Sequence, residues 1–303
     1  MTPSSGHGGR AQANHARSLL ALPRSTATRR VGQYERVVRN AVTIAGSHVV
    51  LTGASGGLGG AVAHALDDRG AHLILTGRRV DALDSLAERL KDARVLQCDL
   101  ADRVQVEDLL AHVEDADILV ANAALPATGT LDDFTNDELD RALDVNLRAP
   151  MLLAKHLAPR MAARGRGHLV FIASMGAKLP ASRLSIYAAT KYGLRGFAAC
   201  LRQELAPSGV GVSAVFPGSV EDVGMWAESG ASGKVGTVTS SAVADAVIRA
   251  IRKNRAEVDV APQSIRFGAA IAHLMPQTYA RLARRSGADE QTAALAAGLR
   301  HKR

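Results

Sequence analysis

Tyr187 and Lys191 stand four residues apart in the stretch Ser185-Ile186-Tyr187-Ala188-Ala189-Thr190-Lys191. On a helix, both side chains leave one face about a turn apart. A free phenol has a pKa near ~10 and is a poor proton donor–acceptor couple at neutral pH. A cation held beside it favours the phenolate and brings it towards the range that proton transfer needs. Ser174, thirteen positions earlier, follows the apolar run Leu169-Val170-Phe171-Ile172-Ala173. A hydroxyl at the end of such a buried strand can reach across to the Tyr/Lys face. The bland alternative is an ordinary amphipathic pair on a helix surface. The surrounding elements decide between them.

A second stretch with chemical content is Thr52-Gly53-Ala54-Ser55-Gly56-Gly57-Leu58-Gly59. Its glycines allow a tight turn and a close approach of backbone N–H groups to a pyrophosphate at a helix N-terminus. It follows an apolar strand, His48–Thr52, and precedes a helix expected from about Leu58 to Arg69, the context such a turn requires. Glycines serving packing alone are the alternative. The next strand ends in Thr76-Gly77-Arg78-Arg79 without an acid. A carboxylate there would hold a ribose 2′-hydroxyl, whereas a nearby arginine accommodates a 2′-phosphate. Two cations at a helix start oppose its dipole and ask for an anion. NADP(H) is therefore the expected cofactor, with NAD(H) as the second candidate and solvated surface arginines as the non-functional reading.

The elements that must position these residues follow a regular alternation. Strands are expected at His72–Thr76, Arg94–Gln97, Asp117–Ala121, His168–Ala173, Val212–Phe216 and Glu257–Val260. Helices are expected between them at Val80–Lys91, Arg103–Val113, Asn136–Ala163, from the Tyr/Lys stretch to Ala206, and at Ser240–Lys253. Pro150 and Pro159 should kink or interrupt the long one. Strands alternating with helices predict an α/β fold, a single doubly wound parallel sheet with helices on both faces. The strands are continuous apolar runs, as a sheet covered on both sides requires.

The 303 residues are enough to bury a large core. No apolar run has the ~20 residues of a membrane span. The expected location is the cytoplasm. Cys98 and Cys200 form neither a disulfide framework nor a metal cluster, and both fall in core-like segments. The net charge of +8 gathers at the two ends, and no basic stripe is interleaved with aromatics. Nucleic-acid binding is thus not the expected task. Residues 1–43 read as a basic flexible arm with a short helix around 33–40, residues 44–263 as the doubly wound α/β domain, and residues 264–303 as a helical, basic extension.

Taken in order, these motifs resemble the short-chain dehydrogenase/reductase family over roughly Ser47 to Ala261. The resemblance rests on the Thr52–Gly59 turn, on Asn122-Ala123-Ala124 where the family has Asn-Ala-Gly, and on Asn146 in Asp144-Val145-Asn146. It also rests on Ser174, on Tyr187-x-x-x-Lys191, and on Pro217-Gly218 after the sixth strand. It implies that Tyr187 is the general acid in reduction and the general base in oxidation. By the same resemblance Lys191 holds the nicotinamide ribose hydroxyls and, with the oxidised ring's charge, lowers the phenol's pKa, Ser174 orients and polarises the substrate carbonyl, and Asn146 holds a water that links Lys191 to solvent. Gly53, Ser55, Gly57, Leu58 and Gly59 would contact the pyrophosphate, and Asp99 and Leu100 the adenine. Asn122 and Ala123 would brace the sheet beside the cofactor, with Pro217, Gly218 and Val220 at the nicotinamide end. No metal is implied. Two departures stand out: a methyl at Ala124, and Glu221-Asp222 where many members have a threonine that touches the carboxamide.

The implied activity is hydride transfer between NADP(H) and a carbonyl or secondary alcohol, which the apolar, lightly charged surroundings suggest is lipophilic. A non-catalytic nucleotide-binding regulator on the same fold is the rival. A homodimer or homotetramer is expected. The Gly- and Ser-rich segment 217–238, with Met225, Trp226 and Val235, falls where the family places a mobile lid. The stripe Ile265, Phe267, Ile271, Leu274 and Met275, followed by arginines, predicts tail helices. These would close the site, pack on a subunit, or lie on a membrane surface.

Overall fold

The computed structural model describes residues 42–230, 236–285 and 288–302. The expected arm up to residue 41, its short helix around 33–40, and Val235 of the expected lid lie outside these residues. Val42, assigned to the arm on sequence grounds, is instead buried with Ile44 in the core.

Seven strands form one sheet: β1 His48–Thr52, β2 His72–Gly77, β3 Ala93–Gln97, β4 Ile118–Ala121, β5 Gly167–Ile172, β6 Val210–Pro217 and β7 Glu257–Val260. All neighbours pair in parallel, in the order β3-β2-β1-β4-β5-β6-β7. This is the expected doubly wound sheet. The period-2 pleat of β1 shows why both sides are apolar. Val49 and Leu51 pack towards α1 (Gly57–Asp67), α2 (Val80–Ala87) and α8 (Ser240–Lys253). Val50 packs towards α3 (Arg103–Ala111), α5 (Ala149–Ala163) and α6 (Ser185–Leu205). Each buried Val or Leu of these layers contributes about 1.5–3 kcal/mol by leaving water. The winding reverses between β1 and β4, so the carboxyl ends of those strands flank an open crevice.

The expected long helix is divided. A short helix α4 (Asn136–Leu143) starts at a capping box, in which Thr135 Oγ1 accepts from the Glu138 N–H and Glu138 Oε2 from the Thr135 N–H. A π-helical turn at Asp144–Arg148 then leads into α5. The break thus precedes Pro150 and contains Asn146, while Pro159 is accommodated inside α5. Pro150 has no N–H for the carbonyl four residues back, so regular α bonding fails at Asn146. Cys98 is buried, but Cys200 is exposed, contrary to the expectation for both thiols. The buried side of α6 runs through Ile186, Thr190, Lys191, Leu194 and Ala198, and Cys200 falls off that helical stripe.

After β6 a short helix, α7 (Gly224–Ser229), stands over the crevice. The tail forms α9 (Gln263–Leu274), α10 (Pro276–Arg285) and α11 (Ala288–Leu299). Helix α11 packs on α7, and a Cβ on Gly298 would lie 2.1 Å from the Ser229 carbonyl oxygen. The tail therefore folds back over the site.

Candidate active site

A cavity of about 800 Å³ opens where β1, β4, β5 and β6 end, and the loops that follow these strands form its floor. At the first loop, Gly53 has φ +66°, and a Cβ there would lie 2.7 Å from Ala123 Cα. A Cβ on Gly59 would lie 2.2 Å from the Gly53 carbonyl oxygen. Helix α1 can seat against the turn only without those side chains. Asn122 fixes the turn from the other side: its Nδ2 donates to the carbonyls of Thr52 (3.0 Å) and Gly53 (3.2 Å). Thr52 Oγ1 accepts from the N–H groups of Asn122 (3.0 Å) and Ala123 (3.1 Å). Ser55, Gly57 and Leu58 line the same end.

Both expected arginines reach this end of the cavity. Arg79 Nη2 donates to the Ser55 carbonyl at 2.5 Å, while the Arg78 side chain forms no ion pair among the described residues. Asp99 and Leu100 also line the wall. Asp99 is not a bare carboxylate, because its Oδ2 accepts from Arg141 Nη2 at 2.8 Å and its Oδ1 from the Ala101 N–H at 3.0 Å. Burial pushes the Asp99 carboxyl up, but the hydrogen bonds from Arg141 and Ala101 and the nearby arginine charges outweigh it and hold the pKa below the usual value. Arg141 itself was not legible as a site residue; it sits on α4 outside any motif. Burial and the neighbouring acids push the Cys98 thiol up to about 12, so it stays neutral and serves packing.

At the other end, Ser174 directly follows β5 and Tyr187 and Lys191 come from α6; all three line the cavity. Ser174 Oγ accepts from the Gly176 N–H at 3.0 Å and acts on the Tyr187 phenol, lowering its pKa. Lys191 is 2% exposed, and its Nζ donates to the Ile172 carbonyl at 2.9 Å. That ammonium is 5.8 Å from the Tyr187 ring centroid. Burial pulls the Lys191 pKa down to about 8. Burial raises the Tyr187 pKa, partly offset by the bond from Ser174. Desolvation is the larger of these two effects on the phenol.

Asn146 does not line the cavity. It is fully buried beneath it, where Oδ1 accepts from the Leu125 N–H (2.7 Å) and Nδ2 donates to the Leu125 carbonyl (3.0 Å) and to Thr190 Oγ1 (3.4 Å). The side chain is spent on tying the loop after β4 to the helix turn that carries Lys191. What the π turn leaves without a donor from Pro150 is its main-chain carbonyl.

Pro217, Gly218 and Val220 line the wall after β6. Glu221 and Asp222 turn away from it. Asp222 accepts from the Ser240 N–H (2.9 Å) and hydroxyl (2.7 Å) at the start of α8, and Glu221 pairs with the Thr237 hydroxyl. The bonds from Ser240 hold the Asp222 pKa below the usual carboxylate value. The wall there is completed by Val223, Met225 and Trp226.

Leu125, Met175, Leu179, Ile265 and Leu295 make the remaining wall apolar. Gln291, Thr292, His301 and Lys302 of the tail edge it, and Lys302 pairs with Glu228 of α7. None of these tail residues was foreseen as lining the site, because their place depends on how the tail folds back. Among the described residues no group of three or more His, Cys, Asp or Glu gathers as metal ligands would, and no helix is long and apolar enough to cross a membrane.

Comparison with known proteins fits this geometry. Residues 47–234 match the family model described as short chain dehydrogenase. A ketoacyl reductase, HetN, from a Nostoc species is 33% identical over 228 residues, which cover 72% of this chain and 79% of that protein. Among solved structures, a short-chain dehydrogenase from Sphingobium yanoikuyae in complex with NADPH aligns with a TM-score of 0.67 at 28% identity, covering 76% of this chain and 95% of that one. A bulky-bulky ketone specific alcohol dehydrogenase from Comamonas testosteroni aligns with a TM-score of 0.65 at 26% identity, covering 76% and 94%. With its glycine turn, parallel sheet and Tyr–Lys helix in the order that the family model spans, the chain belongs to the short-chain dehydrogenase family of oxidoreductases.

Proposed function

We propose that the protein is an NADP(H)-dependent ketone reductase or alcohol dehydrogenase for a lipophilic carbonyl or secondary alcohol, with Tyr187 as the proton donor and acceptor. One observation carries the proposal: Ser174, Tyr187 and Lys191 share a single cavity with the glycine turn and Arg78, and the rest of that cavity is largely apolar. The NADPH bound by the Sphingobium yanoikuyae relative, and the ketone specificity of the Comamonas testosteroni one, support it.

The residues present fit such a cofactor. Gly53 and Gly59 keep the floor free of side chains, where backbone N–H groups would hold a pyrophosphate. Arg78 supplies a cation for a 2′-phosphate, and Lys191 would hold the ribose hydroxyls. A bound nicotinamide supplies or accepts the hydride. In reduction, the Ser174 hydroxyl orients the carbonyl oxygen, and Tyr187 gives that oxygen its phenolic proton as the carbon gains hydride. In oxidation, the phenolate takes the proton back. Asn146 positions Lys191 through Thr190, and its main-chain carbonyl, which Pro150 cannot bond, is the place for a water on the path by which Tyr187 regains its proton. Ile265 and Leu295 of the tail, with Met225 and Trp226 of the lid, help to exclude bulk water.

The test is a panel of ketones and secondary alcohols, followed by nicotinamide absorbance with NADPH and with NADH. Turnover of apolar ketones with NADPH is expected. Cofactor binding without turnover of any carbonyl would return the protein to the regulator class. A homodimer or homotetramer is the assembly that family membership supports, and light scattering checks it.

Closure by the tail gives a second expectation. Gly298→Ala forces α11 away from Ser229, since real Cβ atoms do not approach a carbonyl oxygen to 2.1 Å. The KM for a bulky ketone should rise several-fold, with a smaller change in kcat. Unchanged KM across substrates would show that the tail does not help to close the site.

A further inference from the structure

We propose that α9 and α10 form a docking face for an anionic lipid bilayer beside the mouth of the cavity. Phe267 (69% exposed), Leu274 (77%), Met275 (55%) and Leu282 (52%) lie within one short segment, whereas the other large exposed apolar residues are scattered along the chain. Single exposed apolar side chains are ordinary, but a cluster marks a contact surface. Phe267 and Leu274 are seven apart on α9 and so share a side, away from the buried Ala269 and Ala272.

Charge identifies the partner. From Val260 to Ala288 the chain has no Asp or Glu. Arg266, Arg281, Arg284 and Arg285 are all exposed there, and none forms an ion pair among the described residues. Elsewhere Arg141, Arg148, Arg160 and Arg195 each meet a carboxylate. A second copy docked here across a two-fold axis would set this patch on itself, arginine against arginine. Exposed apolar side chains interspersed with unpaired cations are the composition of helices that lie in an anionic membrane surface.

The docking does not rest on the redox reading, because it is measured as lipid partitioning. Its use would: Ile265 of α9 and Tyr279 of α10 line the cavity, so a docked protein would open its substrate end towards the phase in which a lipophilic ketone dissolves.

The experiment is co-sedimentation of the full chain with phosphatidylcholine vesicles, with and without phosphatidylglycerol. Binding should be about tenfold or more stronger with the anionic lipid and should be lost in high salt. Phe267→Ser with Leu274→Ser, and separately Arg281→Glu, Arg284→Glu and Arg285→Glu together, should each reduce it by about tenfold. Turnover of a water-soluble ketone should be unchanged in both variants, which also shows that they fold. Wild-type protein that stays in the supernatant overturns the proposal. So does undiminished binding by both variants, which would assign lipid affinity to the basic residues 1–41. A fall in particle mass of the Phe267/Leu274 variant without lipid would make the face a self-interface and equally overturn it.

Discussion

Tyr187→Phe should lower kcat for ketone reduction by about 10²–10⁴, the range that a positioned proton donor contributes, and leave NADPH affinity near that of the wild type. The ring stays in place against Gly176, so the only loss is the hydroxyl. Affinity by fluorescence titration and rate by NADPH absorbance separate the two effects. A Tyr187→Phe protein with near-normal rate would sink the mechanism. The raised pKa adds a direction with pH. The phenol is protonated at neutral pH, so it is ready to act as an acid in reduction. Oxidation needs the phenolate, whose fraction grows with pH, so alcohol oxidation should rise on the alkaline side while reduction does not. Lys191→Ala differs from the phenylalanine variant, because it should lose both cofactor binding and rate.

Arg78→Ala should weaken NADPH by about ten- to a hundredfold and leave NADH almost unchanged, since one charge-assisted contact to a phosphate is worth about 1.5–3 kcal/mol. The structure gives a reason to expect a larger effect at Arg78 than at its neighbour. Arg79 is already bound to the Ser55 carbonyl, and Asp99, the acid on the same wall, is neutralised by Arg141 rather than left to repel a phosphate. Adding Gly77→Asp should favour NADH outright by supplying a carboxylate for the 2′-hydroxyl. A Cβ at Gly77 would lie 3.2 Å from Ser55 Oγ, a hydroxyl that can rotate aside. Equal binding of NADH and NADPH by the wild type would reduce both arginines to surface charges.

Much of this protein is written locally and can be read locally. The strand–turn–helix around Gly53 to Gly59, the apolar runs of β1, β4 and β5, and the i, i+4 pair of Tyr187 and Lys191 depend on spacing within a few residues. One period decides which side chains face inward. With the alternation of strands and helices, they carry the parallel sheet, the crevice at its switch point and the family. Sequence alone did not locate the break in the long helix. The missing N–H belongs to Pro150, but its consequence falls four residues back, at Asn146.

Other features arise only when distant segments meet. The pairing of Asp99 with Arg141 spans 42 positions, and the turning of Asp222 to Ser240 keeps that carboxylate out of the wall after β6. The balance of pKa at Tyr187 and Lys191 follows from burial, a property of the packed interior that pattern does not reveal. Amphipathic spacing announced tail helices but could not say what they cover. Their place over the cavity is decided by complementary shape, above all the close approach of Gly298 to Ser229, which only the folded chain brings together.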